Sequence, residues 1–468
     1  MSALMVQGAS SSAGKSLVAT ALARWFARQG VRVAPFKAQN MSNNARVCQG
    51  GEIGAAQWLQ ALAAGVEPDV RMNPVLVKPE GDTRSQVVVR GRPDLELGAL
   101  AWQERAGRLW PVVQESLASL LAEYELVLLE GAGSPAEINL RAIDLANMRS
   151  ARAAAAAVLL VADIDRGGAF AHLYGTWRLL ERRDRRLVRG FLLNKFRGDA
   201  SLLYPAPELL HRRTGVSTLG VLPWLEHGLP DEDGAAVPAV TGRRVRIAIV
   251  RYPTASNLDE YRPLEQVADV EWAGSPGELD GADLVVLPGS KHVAADRDWL
   301  RARRFDEAIR RRAASGGRVL GVCGGLQLLG ECFDDAAGVD GADEGLGLLP
   351  LRTTFAAEKL ARRTSASFAE LPEPWRTLSG LEIEGYEIRH GSTEPLGPLA
   401  EALPRGLGYV AGPVLAVYLH GLFEQPAVVR ALVGEAPART LDDAFDQLAD
   451  ALDEHVDMDT VARLAGVL

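Results

Sequence analysis

Cysteine is scarce in this chain, with Cys48, Cys323 and Cys332 the three present among 468 residues. So few cannot build a disulfide framework, and their spacing lacks the close pairs of a zinc site, so a reducing compartment suits them. Long apolar runs are also missing, and none approaches the roughly 18 consecutive apolar residues of a membrane span. The start, Met1-Ser2-Ala3-Leu4, lacks a charged region ahead of an apolar core. No cleavable signal is expected, and cytoplasm is the expected location. An excess of basic charge is absent as well: 51 Lys and Arg stand against 60 Asp and Glu, for a net charge of -9. That sign disfavours a nucleic-acid surface. The densest basic run, Arg178 to Arg189, is interrupted by leucines and acidic residues and reads as a solvated helix face.

What is present begins with a phosphate cradle. The apolar run Ala3 to Val6 leads as a strand into Gly8-Ala9-Ser10-Ser11-Ser12-Ala13-Gly14-Lys15-Ser16, and Leu17 to Arg28 continues with helical spacing. Backbone N–H groups of such a loop and of the helix start face phosphate oxygens. Lys15 brings a point charge to the β/γ-phosphates, and the Ser16 hydroxyl suits Mg²⁺. Five residues separate Gly8 from Gly14, where the common motif has four, so the loop is one residue longer or begins at Ala9. Gly8, Ser12, Gly14, Lys15 and Ser16 are therefore the expected ATP-binding residues.

From residue 1 to about 225, short apolar runs alternate with helical patterns, the signature of a parallel sheet wrapped by helices. Ligands gather at the carboxyl ends of such strands. There stand the polar stretch Lys37-Ala38-Gln39-Asn40, then Glu130, the pair Asp163 and Asp165, and Asn194. Lys37 is a second cation for a transferring phosphoryl group, and Glu130, after a wholly apolar run, is a magnesium candidate. Either aspartate is a further candidate for magnesium or catalytic water. Asn194 is placed for a nucleotide base. Lys78, Asp82, Arg84 and Gln86 surround a glycine turn that holds an anionic substrate or simply turns.

Residues 226–244 read as a linker. A second α/β domain is expected over 245–435 and an acidic helical tail over 436–468. Within the second domain, Arg318 to Val322 leads into Gly321-Val322-Cys323-Gly324-Gly325 and a helical run. Glycines on both sides of Cys323 give the form of a nucleophile elbow, which exposes the middle side chain at a helix N-terminus that favours a thiolate. Gly324, and Gly289 after the strand Asp283 to Leu287, are the expected oxyanion donors. Of seven histidines, His420 is the best base, because the apolar run Val414 to Leu419 delivers it to a sheet end. His390 is second.

With both sites read, the chain resembles the cobyric acid synthase family of glutamine-dependent amidotransferases, nearly end to end. Its first half is similar to dethiobiotin synthetase-type ATPases, which share the longer loop ending in Gly14-Lys15-Ser16. The blocks Pro35 to Met41, Met72 to Gln86, Glu130 to Arg141 and Val161 to Gly168 match the family's own. The second half resembles a class I glutamine amidotransferase domain of the cobyrinate type, with Cys323 and His420 at the nucleophile and histidine positions. The resemblance implies a ligase that uses ATP and Mg²⁺, no prosthetic group, and glutamine as nitrogen donor. It implies adenosylcobyrinic acid a,c-diamide as the corrinoid substrate, amidated at its b, d, e and g carboxylates. Gln39, Asn40, Lys78, Asp82 and Arg84 are the substrate-binding candidates. Ordinary class I glutaminases carry Glu two residues after the histidine, but Leu422 stands here, so the resemblance is to the branch without that third member, and Glu424 is not its substitute. Arg389 precedes His390 where the family commonly has the histidine directly. An amidating ligase for another small carboxylate and a switch-like partitioning ATPase are the alternatives, and the Cys323 elbow argues against the switch. The oligomeric state is left open, a homo-oligomer included.

Overall fold

The structure is a computed structural model that describes residues 2–79, 85–229 and 244–467. Asp82, Arg84 and most of the expected linker lie outside the described residues. Six parallel strands form the first sheet: β1 (Ser2–Gly8), β2 (Val33–Phe36), β3 (Leu126–Glu130), β4 (Ala157–Asp163), β5 (Val188–Phe196) and β6 (Ser217–Pro223). Their order is β6-β5-β4-β1-β3-β2. Helices cover both faces, so the strands are apolar throughout rather than alternating; Leu4, Met5 and Val6 are all fully buried. Register pairs Val6 with Glu130, Gly8 with Val161 and Asp163 with Asn194. The polar residues that follow each apolar run thus converge on one edge.

Helix α1 (Lys15–Arg28) begins at the phosphate loop, where Gly14 takes φ 94. A short antiparallel hairpin, Ala45–Cys48 with Gly51–Gly54, leads into α2 (Ala55–Ala63).

The second half builds a seven-stranded sheet from β7 (Arg246–Val250), β8 (Asp269–Ala273), β9 (Leu284–Leu287), β10 (Arg318–Val322), β11 (Ala400–Leu403), β12 (Gly408–Ala411) and β13 (Val414–Val417). The order is β8-β7-β9-β10-β13-β12-β11, with parallel pairing except at the last two pairings, so that β12 alone runs in reverse. The expected parallel-sheet unit and the α/β unit after it are therefore both present. A long hairpin, Leu351–Ser367 against Glu382–Pro395, has no counterpart in the strand pattern expected from sequence. It reaches the first unit, where Lys359 and Lys78 both meet Glu52 and Arg363 meets Glu67.

The C-terminal helices α4 (Leu441–His455) and α5 (Met458–Ala465) return to the first unit. Thr440 and Asp443 form a capping box at the start of α4, which satisfies orphan N–H groups there. Phe445, Leu448, Leu452 and Val461 join one apolar cluster with Leu22 and Phe26 of α1, and Arg24 and Arg28 meet Asp446 and Asp450 at 2.7 and 2.6 Å. These rim pairs are exposed and contribute little; the buried leucines carry the attachment. Leu448→Ala is expected to cost about 3 kcal/mol, read as a lowered urea midpoint for the first unit.

Candidate functional site

The first site lies at the carboxyl edge of the first sheet. Ser16 Oγ donates to Glu130 Oε1 at 2.8 Å, and Lys37 Nζ reaches the same oxygen at 2.8 Å. Gln57 and Gln60 of α2 donate to Glu130 Oε2, so this buried carboxylate has partners at both oxygens. Lys15 Nζ lies 3.4 Å from Ser10 O, inside the loop. A side chain at Gly8 would meet Ser10 O at 2.7 Å, so the loop closes only over glycine.

Asn194 Nδ2 donates to Ala13 O at 3.0 Å, and Lys195 Nζ bridges Ser12 O and Asp163 at 2.8 and 3.1 Å. Strand β5 therefore braces the back of the phosphate loop. Gly8, Ser12, Gly14, Lys15, Ser16, Lys37, Glu130 and Asn194 all come together. Lys195 joins them. Asp165 turns away, pairing with Arg197 at 3.3 Å.

Ser16 and Glu130 suit a magnesium ion. Their oxygens are 2.8 Å apart, close to the edge of about 3.0 Å that follows from octahedral bonds of about 2.1 Å. Magnesium commonly takes one or two protein oxygens and completes its shell with phosphates and water. Asn40 adjoins this set, donating through Nδ2 to Gln57 Oε1 at 3.1 Å, and Gln39 lies half-buried beside it on the strand Gln39–Met41. Lys78 is elsewhere, buried on Glu52 at the junction with the long hairpin. Against burial, which opposes ionisation, Lys359 and Lys78 hold the Glu52 carboxyl well below the usual carboxylate range.

The second site lies at the carboxyl edge of the second sheet. Cys323, at φ 51 and ψ -106, stands between β10 and the short helix α3 (Gly324–Leu329). A non-glycine residue in that region is strained, as expected for an elbow. Close packing holds the turn: a side chain on Gly324 would fall 2.5 Å from Ser290 N. Cys323 N donates to Val417 O at 2.8 Å, tying the elbow to β13, which carries His420 three residues beyond its end. The Cys323 thiol lies 3.5 Å from Ile388 O, and Cys323 is close enough to His420 to act on its charge.

His420 is 2% exposed, and its Nδ1 meets Glu260 Oε1 at 2.8 Å. The other Glu260 oxygen accepts from Gly421 N at 2.6 Å. Tyr386 stacks on the imidazole with centroids 5.3 Å apart. Burial disfavours the imidazolium, but Glu260 and Cys323 outweigh it and raise the His420 pKa to about 10. The Gly289 backbone packs on the same ring, where a side chain would come 3.0 Å from His420 Cε1. Asp296 ties down the adjoining loop, accepting from Ser290 and Thr254 hydroxyls at 2.6 Å each. Burial raises the Asp296 carboxyl to about 6.

Sequence reasoning did not single out Glu260. The resemblance implied a site without the usual third member, yet this glutamate, 160 residues before His420, occupies that place from another part of the chain. Glu424 instead meets Arg46. His390 is half-buried, with Nδ1 3.1 Å from Ala356 O, and burial beside Lys359 lowers it to about 4, so it is neutral at pH 7.

Residues 4–230 match the model of the CobQ/CobB/MinD/ParA nucleotide binding domain, and residues 246–428 match the CobB/CobQ-like glutamine amidotransferase domain. A cobyric acid synthase of Variovorax paradoxus is 56% identical over 97% of this chain and 97% of its own. The chain belongs to the cobyric acid synthase family. A Leptothrix cholodnii cobyric acid synthase is 54% identical over 99% of this chain and 96% of its own. A crystal structure of a glutamine amidotransferase, 17% identical, covers 40% of this chain and 98% of that chain at TM-score 0.33. As a cobyric acid synthase family member, the chain is a glutamine-dependent ligase that forms amides in cobalamin biosynthesis. Among the described residues, no helix is long and apolar enough to cross a membrane.

Proposed function

We propose that the chain uses ATP and glutamine to amidate the b, d, e and g carboxylates of adenosylcobyrinic acid a,c-diamide, with each site doing half of the chemistry. The observation that carries this reading is the pairing, in one chain, of a phosphate loop braced on Glu130 with a cysteine elbow whose histidine is held by Glu260.

At the elbow, the Cys323 thiolate attacks the side-chain carbonyl carbon of glutamine. The N–H groups of Gly289 and Gly324 receive the oxyanion. His420, protonated at neutral pH, gives its proton to the departing nitrogen, and ammonia leaves a γ-glutamyl thioester. The now neutral imidazole takes a proton from water as it attacks, and collapse releases glutamate and restores the thiolate and imidazolium. Glu260 keeps the ring oriented throughout.

In the first site a substrate carboxylate oxygen attacks the γ-phosphorus of ATP. ADP leaves and an acyl phosphate forms, because a bare carboxylate offers ammonia no adequate leaving group. Ammonia then displaces phosphate. Lys15 and Lys37 offset the charge that moves onto the β/γ oxygens, and Asn194 and Lys195 hold the loop that cradles them. Mg²⁺, when bound through Ser16 and Glu130, supplies further charge compensation at the same phosphates. Asn40, which bonds the Gln57 that holds Glu130, and its strand neighbour Gln39 are assigned to the corrinoid. Lys78 belongs to the wall between the two units, and Asp82 and Arg84 are assigned to the corrinoid on the resemblance alone.

One ADP per amide is the expected stoichiometry; ADP release without any amide, in the presence of the diamide and glutamine, would contradict it. A pH profile tests the role of Glu260. Removing the carboxylate that raises the His420 pKa lets burial pull it down. In Glu260→Gln the alkaline limb of glutamine hydrolysis is therefore expected to move from near pH 10 toward neutrality. An unmoved limb would show that Glu260 does not govern His420.

A further inference from the structure

The histidine of the second site is surrounded by more negative charge than its own unit balances. Asp259 and Glu260 lie side by side on one segment, and Glu424 follows four residues after His420. Asp259 and Glu260 are buried, and the carboxyl groups of all three crowd the same interior. The cation that meets this group comes from the other unit. Arg46, on the hairpin strand Ala45–Cys48, is 2% exposed and donates to Asp259, to Glu424 and to the Tyr386 hydroxyl. Its guanidinium also lies over the Trp58 and Tyr386 rings, 5.3 and 5.1 Å from their centroids. Tyr386 is the ring stacked on His420.

Backbone interlocking keeps Arg46 in this position. Asn44 Oδ1 accepts from Leu258 N at 3.1 Å, and Asn257 bonds both backbone groups of Ala45, at 3.4 and 3.2 Å. Asn257 also donates to the Tyr386 hydroxyl at 3.0 Å. Segment 44–46 thus grips segment 257–260, whose last residue orients the catalytic histidine. The same stretch of chain continues into α2, where Gln57 and Gln60 hold Glu130 of the first site.

We propose that Arg46, contributed by the nucleotide-binding unit, is a positioning residue of the glutaminase site. It neutralises Asp259 and Glu424 and fixes Tyr386, so that Glu260 stays aligned on His420. Burial pushes the Asp259 and Glu424 carboxyls up, and Arg46 opposes it in both. Taking away one member of a buried charged cluster leaves the others uncompensated, whereas taking away a matched pair does not. The proposal rests on Cys323 and His420 forming the glutaminase.

The test uses the full chain with either glutamine or ammonia as nitrogen donor. Arg46→Met is expected to lower the glutamine-dependent turnover number about tenfold to a hundredfold, with KM for glutamine little changed. Ammonia-dependent amidation stays near wild type. Arg46→Lys, which keeps the charge, and Arg46→Met combined with Asp259→Asn, which removes one of the two carboxylates left unmatched, each recover part of the loss. Unchanged turnover with glutamine in Arg46→Met would overturn the proposal. So would an equal fall with both donors, or the absence of recovery in both rescue variants. A failure of the underlying reading looks different: glutamine-dependent turnover would then survive Cys323→Ala.

Discussion

Replacing Cys323 with alanine is expected to lower glutamine-dependent amidation by about 10³-fold or more while leaving ammonia-dependent amidation close to the wild-type rate. Cys323 owes its position to strained backbone at φ 51 and to close packing of Gly324 on Ser290. Its sulfur is the group in that turn that forms the thioester, and alanine keeps the turn while deleting the nucleophile. Ammonia supplied from solution bypasses the thioester and meets the acyl phosphate directly. Paired assays with glutamine and with ammonium salt at alkaline pH read both effects in one preparation. Equal loss with both donors would contradict a division of labour between the two sites.

The converse result is expected at the phosphate loop. Lys15→Met should lower amidation by about 10²- to 10³-fold with either donor, because the charge developing on the β/γ oxygens loses its nearest cation. Lys15 is largely buried at the start of α1, and methionine preserves its stem and packing. Glutamine hydrolysis at Cys323 should persist in this variant. ADP release and glutamate release, measured side by side, separate the two outcomes; loss of glutamate release together with ADP release would contradict the assignment of Lys15 to phosphoryl transfer alone.

What sequence could reveal followed from how local each feature is. The phosphate loop and the elbow are each set by a few neighbouring residues, with glycines where backbone approaches backbone, and both are legible without the rest of the chain. The strand ends at Glu130 and Asn194 are legible for a related reason: an apolar run that stops at a polar residue marks the sheet edge. Glu260 is different. It sits in the first turn of a 3₁₀-helix, Leu258–Gln266, whose opening Asn257-Leu258-Asp259-Glu260 looks like solvated polar chain, and its partner lies 160 residues away. Two adjacent acidic residues followed by Tyr261 were the one local signal, and burial, which sequence does not print, turns them from surface charge into a site.

Arg46 and Lys78 illustrate the same limit across the two units. Lys78 stands in a stretch that reads as a substrate loop and Arg46 in one with no motif, yet Arg46 reaches Asp259 and Glu424, and Lys78 is buried on Glu52 beside Lys359 of the long hairpin. Ion pairs between units leave no periodic trace. The acidic C-terminal stretch had a helical period and no visible partner; its partner is α1, at the opposite end of the chain. Composition marks such a helix as amphipathic, but only the fold says which face it covers.

The most direct measurement of the central claim is mass spectrometry of adenosylcobyrinic acid a,c-diamide after incubation with the protein, ATP, Mg²⁺ and glutamine labelled with ¹⁵N in its side-chain amide. The account predicts stepwise conversion of four carboxylates to labelled amides, dependent on ATP and on Cys323. A corrinoid that stays unchanged while labelled glutamine is hydrolysed would contradict the assigned acceptor, and an unchanged corrinoid with intact glutamine would contradict the amidotransferase mechanism as a whole.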